Sequence, residues 1–431
     1  MGSKLHRIGI VADDLTGAGD CAVQFAQNGW YTELSLAGDL SSRPRTAPAR
    51  EAFALVTDAR AMPDSAARSA TSSAVTKLEA MKIDRLFIKI DSTGRGSLTG
   101  QIEGALASWH AANHDPVAVV CPTYPLLGRT LESGHILVHG VSVENTAAGR
   151  DPITPLASAS ITDLIPGSVN ISIDGGIASA LFRTINEQIE VGFRVISVNA
   201  ASDVDLDVIA EVVERLGPWA IPVGSAGLAK SLARRWADTV GSARKQALPA
   251  VGHVVVVISS LHDISRDQHK HLLDNVAPNL VVSYAPSVSD LLSSATTKTW
   301  IDANLSRVRK RVSVVISPAA RGTELDSPSL IASGLAHITQ AIVSGDRDTT
   351  LLLIGGEGAR AVLLELGATT VSITGSLQEG IPVGTVGGGR LSGVTVVTKA
   401  GGFGDTKTVT ALLPQLLGEE SAISLNEGAQ S

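Results

Sequence analysis

The chain has 431 residues, 44% hydrophobic but only 3% aromatic, with 42 glycines and a formal net charge of -7. Single hydrophobic cores stop growing at about 250 to 300 residues, so this length predicts two domains, and the bias toward Ala, Val, Ile, Leu and Gly fits buried parallel strands joined by tight turns. The acidic balance provides no basic field for a polyanion and argues against nucleic acid, while a small phosphate can still be held by backbone amides.

Cys21 and Cys121 are the only cysteines, too few for a disulfide framework or a thiolate metal site. A strand-like "RIGIVAD" begins within the first residues with no leader-type apolar segment before it, and no later run reaches the ~20 apolar residues that span a bilayer. The expectation is a cytoplasmic chain without membrane contact.

Taken in order, "RIGIVAD", "FALVTD", "RLFIKID", "PVAVVCP", "RVISVN" and "AIPVGS" are apolar, β-branched runs, each followed by a helical pattern. That alternation predicts a parallel sheet. Residues 234–252 break it with charge, small residues and a proline, and the rhythm restarts with "HVVVVISS", "LVVSYA", "VSVVISPAA", "TLLLIGGE" and "VTVVTKAGG". The predicted fold class is α/β, with two domains, each a mostly parallel sheet flanked by helices, and the active site in the cleft between them. The boundaries are 1–240 and 247–418, with a frayed tail at 419–431. No internal repeat of fixed short period is present.

Ligands of open parallel sheets bind beyond the carboxyl ends of the strands. In the first half those ends carry charge: Asp13 and Asp14, Asp58 and Arg60, Lys89, Asp91, Ser92 and Arg95 in "FIKIDSTGRG", and Thr123 and Arg129 after "VAVVCP". In the second half they carry hydroxyls and glycine: Ser259, Gly355 to Gly358 in "IGGEG", and Lys399 to Thr406 in "KAGGFGDT". The division suggests a small charged substrate in one domain and a phosphate-bearing molecule in the other. Asp14 and Thr16 equally suit a helix cap, and "IGGEG" by itself suits a tight turn. The crowding of Lys, Asp and Arg in "KIDSTGRG" is costly unless they meet a ligand or one another.

Three patterns are set aside. His135 and His139 in "GHILVHG" are flanked by glycines and β-branched residues, which predicts a strand and no zinc site. "GSAGLAKS" nearly spells a P-loop, but Ala229 stands where the second glycine belongs, so it is expected to open a helix with Lys230 on the surface. "GGGRLSG", Gly387 to Gly393, falls between late strands without the helix or acid that a dinucleotide fingerprint needs.

Together "IGIVADDLTGAGDCA", "VTDAR", "FIKIDSTGRGSLTGQIEGAL", "CPTYPLLGRTLESGHILVHGVSVENT", "DPITP", "GSAGLA", "IGGEG" and "KAGGFGD" resemble, in order and over nearly the whole chain, the four-carbon acid sugar kinases, which act on threonate, erythronate or 3-oxo-tetronate. The resemblance implies an N-terminal domain for the acid sugar, a C-terminal domain for ATP, and transfer of the γ-phosphoryl group to the terminal hydroxyl. It implies substrate contacts at Asp13, Arg60 and the stretch Lys89, Ile90, Asp91, Ser92 and Thr93. Nucleotide contacts are implied at Ser260, Gly355, Gly356, Glu357, Gly358 and Gly401. The chain departs from the family pattern at Gly358, where Thr is usual, at Gly94, where a larger residue is usual, and in "ISSLHD", a variant of the usual Gly-Ser turn.

On this reading Asp13 or Asp14 accepts the hydroxyl proton, Arg60, Lys89 and Arg95 hold the carboxylate and hydroxyls, and glycine amides hold the ATP phosphates. Mg²⁺ travels with ATP and needs no protein cage. The expected partners are a small sugar acid and ATP, and the reading allows a homo-oligomer. The competing readings are a nicotinamide-dependent hydroxy-acid dehydrogenase and a sugar-acid sensor with weak catalysis.

Overall fold

The computed structural model describes residues 6–36, 50–110, 114–151, 153–237, 247–305, 310–319 and 328–418. The chain divides into two compact units, Met1–Ala243 and Arg244–Ser431. The centre of the segment read as a boundary and the tail at 419–431 lie outside the described residues.

The first unit contains β1 (His6–Ala12), β2 (Tyr31–Ser35), β3 (Arg50–Val56), β4 (Arg85–Lys89), β5 (Val117–Cys121), β6 (Arg129–Glu132), β7 (His135–Val138), β8 (Val141–Ser142), β9 (Val169–Ile171), β10 (Val195–Val198) and β11 (Ala220–Gly224). Its helices are α1 (Leu15–Gln27), α2 (Asp64–Ala80), α3 (Leu98–Ser108), α4 (Ile161–Leu164), α5 (Ala178–Val191), α6 (Asp203–Leu216) and α7 (Ala226–Arg235). The main strands run in the order β2-β3-β1-β4-β11-β5-β10-β9, and each neighbouring pair is parallel. Every polar end quoted above therefore falls on one edge of the sheet. Strands covered on both faces read as unbroken apolar runs, and Val11, Leu55, Ile88, Val120 and Ile221 from five of them meet in one core with Leu78 of α2 and Ile102 of α3.

The strands β6, β7 and β8 form a separate antiparallel sheet inserted after β5. His135 opens β7, and His139 follows it in a turn with φ +50°, so the "GHILVHG" segment is a strand. "GSAGLAKS" opens α7, where Ser225 caps the helix by accepting from the Gly227 amide and donating to the Thr123 carbonyl. Lys230 is half-buried on that helix.

The second unit contains β12 (His253–Ile258), β13 (Val281–Tyr284), β14 (Val312–Ile316), β15 (Thr349–Ile354), β16 (Thr370–Gln378), β17 (Ile381–Gly387) and β18 (Thr395–Lys399). Its helices are α8 (Asp263–Asn275), α9 (Val288–Leu291), α10 (Ser294–Asn304), α11 (Pro328–Val343), α12 (Gly356–Glu365) and α13 (Thr408–Leu416). The order is β13-β14-β12-β15-β18-β17-β16, parallel from β13 to β18 and antiparallel over the last two pairs. Its own core gathers Val254, Val256, Val314, Leu352 and Val397 from the sheet with Leu412, Leu413 and Leu416 of α13. The segment Gly387 to Gly393 links β17 to β18, with no helix after it. Among the described residues no helix is long and apolar enough to cross a membrane.

Candidate active site

In the first unit β1, β3 and β4 are neighbours, so the residues that follow them converge. Asp14 terminates the extended segment and caps α1: Oδ1 accepts from the Gly17 amide at 2.7 Å, and Oδ2 accepts from the Thr16 hydroxyl at 2.7 Å. Gly17 has to be glycine, because a Cβ there would press on Asp14 Oδ1 and on the Lys89 ammonium. Arg60, in the short turn after β3, reaches both aspartates. Its Nε and Nη2 donate to Asp13 at 2.8 and 2.9 Å, and its Nη1 donates to Asp14 at 2.8 Å.

The "KIDSTGRG" loop is a second pairing. Asp91 accepts from Arg95 Nε and Nη2, both at 3.0 Å, and from the Thr93 hydroxyl. Arg95 Nη1 donates at 2.7 Å to Asp151, whose other oxygen is fixed by the Ile153 and Thr154 amides. Gly96, at φ +94°, lets this loop lie against the Arg60 backbone, where a Cβ would sit 2.9 Å from the Arg60 carbonyl oxygen. Lys89 is 4% exposed, and its ammonium donates to the Ile90 carbonyl at 2.8 Å. Ile90 itself is buried and serves through its backbone, while Ser92 is half-buried on the loop.

The aspartates are not equivalent. Asp13 is wholly buried, and burial raises its pKa against the pull of Arg60, with Asp14 adding to the rise. For Asp14 burial also opposes charge, but Arg60, Lys89 and the bonds from Thr16 and Gly17 outweigh it and lower the pKa. Burial likewise opposes ionisation of Asp91, yet Arg95 and Arg60 hold its carboxyl well below the usual range. The sequence reading assigns Arg60, Lys89 and Arg95 to the carboxylate and hydroxyls of a substrate. In the structure both arginines are matched by Asp13, Asp14, Asp91 and Asp151. Asp151 opens the "DPITP" motif, but nothing local pairs it with Arg95: it lies far along the chain, and only the fold brings the two together.

In the second unit β12, β15 and β18 are neighbours and their ends interlock. Gly355, at φ +103°, leads from β15 into α12, and its amide donates to the Lys399 carbonyl at 3.0 Å. A Cβ at Gly358 would overlap Ser259, and one at Gly401 would overlap the Ser260 hydroxyl. Helix α12 has no side-chain cap, so the amides of Gly356 and Gly358 lie at the positive end of its dipole.

Lys399 completes this half. It is fully buried, and its ammonium donates to the Ala400 and Phe403 carbonyls at 2.9 Å and to the Gly401 carbonyl at 3.4 Å. In a trans peptide the C=O and the next N–H point opposite ways, so carbonyls turned toward Lys399 turn the amides of Gly401, Gly402 and Gly404 away from it. Among the described residues none of these three amides has a backbone acceptor. Gly402 and Gly404 were not singled out from the sequence, because the direction of an amide is set by tertiary contacts of the preceding carbonyl. Three amides turned from Lys399, beside a helix N-terminus without a side-chain cap, fit an oligophosphate. The donor set is one of backbone amides, with the Lys399 ammonium behind them, which suits phosphate oxygens; a divalent ion here would take its ligands from the phosphates themselves.

A family model described as a sugar-binding N-terminal domain matches residues 8–232, and one described as a nucleotide-binding C-terminal domain matches residues 255–409. A D-threonate kinase from Bordetella bronchiseptica is 34% identical over 92% of this chain and 94% of its own length. A D-erythronate kinase from Heliobacterium modesticaldum is 25% identical over 96% of this chain and 98% of its own. A solved structure described as a putative tRNA synthase from Salmonella typhimurium LT2 superposes with a TM-score of 0.75 at 22% identity, covering 95% of this chain and 99% of that one, a likeness of fold.

Proposed function

The chain belongs to the family of four-carbon acid sugar kinases, and from that premise we propose that it transfers the γ-phosphoryl group of ATP to the terminal hydroxyl of a four-carbon sugar acid. The observation that carries the nucleotide half is the set of outward glycine amides held by Lys399 beside the uncapped start of α12. Gly355, Gly356, Glu357, Gly358, Gly401 and Ser260 line that set. Backbone amides stabilise phosphate charge without needing to reorganise during the reaction. Mg²⁺ would enter on the phosphates of ATP.

Phosphoryl transfer needs little covalent assistance beyond positioning and a proton acceptor on the attacking hydroxyl. Asp13 suits that role better than Asp14. Its pKa is raised, while the oxygens of Asp14 are spent on a helix cap and on Arg60. Because Asp13 is sealed beneath the Arg60 fork, the hydroxyl reaches it by displacing one arm of that pair. Arg60, Lys89, Asp91, Ser92, Thr93 and Arg95 then surround the acid sugar. A dehydrogenase is disfavoured because the Gly387 to Gly393 segment runs from strand to strand, where a dinucleotide fingerprint opens a helix.

The test is ADP formation with ATP, Mg²⁺ and a panel of C4 sugar acids of both configurations. Turnover of at least one acid is expected, and no turnover of any acid would reject the reading, including in favour of a sensor that binds without catalysis. With the active acid, Asp13→Asn is expected to lower kcat by ~10² to 10⁴. Asp14→Ala is expected to cost about 1 kcal/mol of stability through the lost cap, with a smaller effect on turnover.

A further inference from the structure

The cations of the sugar-binding unit differ in how their donors are used. All three nitrogens of Arg60 meet Asp13 or Asp14, and all three of Arg95 meet Asp91 or Asp151. Lys89 sits deep, on the Ile90 carbonyl. Arg129 differs from the two arginines. It opens β6, eight residues past the end of β5, and its backbone is locked there, with its amide on the Tyr124 carbonyl at 3.1 Å and its carbonyl accepting from the Tyr124 amide at 2.8 Å.

The residue is half-buried, and the part of its side chain nearest the backbone is held out of water. Nε is buried and has no hydrogen-bond partner, and among the described residues no carboxylate forms an ion pair with the guanidinium. The charges that act on it most are those of Asp91, Arg95 and Asp20. A buried donor without an acceptor costs as much as a lost hydrogen bond, and more when it is charged. Such a group is stabilised by an anion that arrives with a ligand.

We propose that Arg129 is the residue that binds the carboxylate of the sugar acid. This rests on the kinase reading above and assigns the recognition of the acid group to Arg129, with Arg60 and Arg95 ordering the aspartates around it. The sheet supports the assignment. Asp13 follows β1, Asp91 follows β4, and Arg129 follows β5, with β11 between the last two. At about 4.8 Å per strand the ends of β1 and β5 stand about 14 Å apart at the backbone, and Arg129, eight residues past Cys121, feels the charge of Asp91 more than that of any other group. A four-carbon chain laid along the row puts its terminal hydroxyl at Asp13 and its carboxylate at Arg129. A forked guanidinium pairs with a carboxylate through two parallel bonds, which a lysine cannot reproduce.

The experiment uses the full chain and compares wild type, Arg129→Gln and Arg129→Lys. It measures KM and kcat for D-threonate or D-erythronate, whichever is turned over, for the neutral alditols threitol and erythritol, and for ATP. Binding of the same acid without nucleotide is followed by titration calorimetry. Arg129→Gln is expected to raise KM and Kd for the acid about 10- to 100-fold, to change kcat less, and to leave KM for ATP and for alditol within about twofold. Arg129→Lys is expected to recover part of the loss. A rise in KM for ATP, or an equal loss with acid and alditol, overturns the proposal in favour of a phosphate-binding or purely structural role, as does an unchanged KM for the acid. If wild type phosphorylates no sugar acid, the kinase reading fails, and calorimetry judges Arg129 alone: binding lost in Arg129→Gln sustains it, while binding that is unchanged, or absent in wild type, overturns it.

Discussion

Lys399 shows how one buried charge shapes a loop and makes it sensitive to pH. Burial lowers its pKa to about 8 from the ordinary lysine value of 10.5. Between those values the unfolded chain holds the proton and the folded one does not, so this group's contribution to stability rises with pH across that window. Below pH 8 the charge is carried at a constant cost. Phosphates close by favour the ammonium, so nucleotide binding above pH 8 takes up a proton and weakens as pH rises. The Kd of ADP is therefore expected to increase several-fold between pH 7 and pH 9 in wild type and to stay flat in Lys399→Met. Titration calorimetry at both pH values checks this, and the same pH dependence in both proteins would remove Lys399 from the nucleotide site. Gly94 is explained at the same scale: at φ +81° its missing side chain leaves room for Ile136, which a Cβ would approach to 2.7 Å.

The loops after β12 and β15 carry two departures from the family pattern, "ISS" and Gly358, and the structure brings them into contact. The Ser259 side chain, with its hydroxyl donating to the Ile354 carbonyl at 3.0 Å, occupies the space that a side chain at position 358 would enter. The two positions thus compete for one space across adjacent strand ends. Gly358→Thr alone is expected to destabilise by ~1 to 3 kcal/mol through overpacking and to raise KM for ATP. Adding Ser259→Gly is expected to restore most of both. A double-mutant cycle on Tm and KM measures the coupling, and simple additivity would show that the residues do not share the space. Elements also differ in how well the sequence revealed them. The strand β1 was plain, whereas β2 was not, because Thr32, Glu33 and Ser35 are polar residues that the fold buries. Strand β16 was missed for the opposite reason: its second half is open to solvent and interrupted by a bulge at Thr374.

Each of the two units has its own core, one built on β1, β3, β4 and β5 and the other on β12, β14, β15 and β18. Separate cores predict separate folding, and the glycine loops lie wholly in the second unit. A fragment beginning at residue 247 is expected to unfold cooperatively and to be stabilised by ADP by about 2.7 kcal/mol at a hundredfold excess over Kd. Differential scanning calorimetry checks it. A folded fragment without an ADP-dependent shift, beside a full chain that shows one, would mean that the second unit does not hold the nucleotide by itself.

The sequence by itself determined the α/β class, the runs that became the buried parallel strands and the strand ends where charge and glycine collect. Apolar periodicity and turn residues are local properties, and the rule that ligands sit at carboxyl strand ends needs no more than strand positions. Tertiary structure decided what those residues do to one another. It turned three apparent substrate cations into two saturated aspartate–arginine pairings and a buried lysine, and brought Asp151 to Arg95 from 56 positions away. It also left Arg129 Nε without an acceptor and aimed the glycine amides by drawing their neighbours' carbonyls onto Lys399. Pairing, burial and the direction of a peptide plane depend on residues distant in the chain, and no local pattern encodes them.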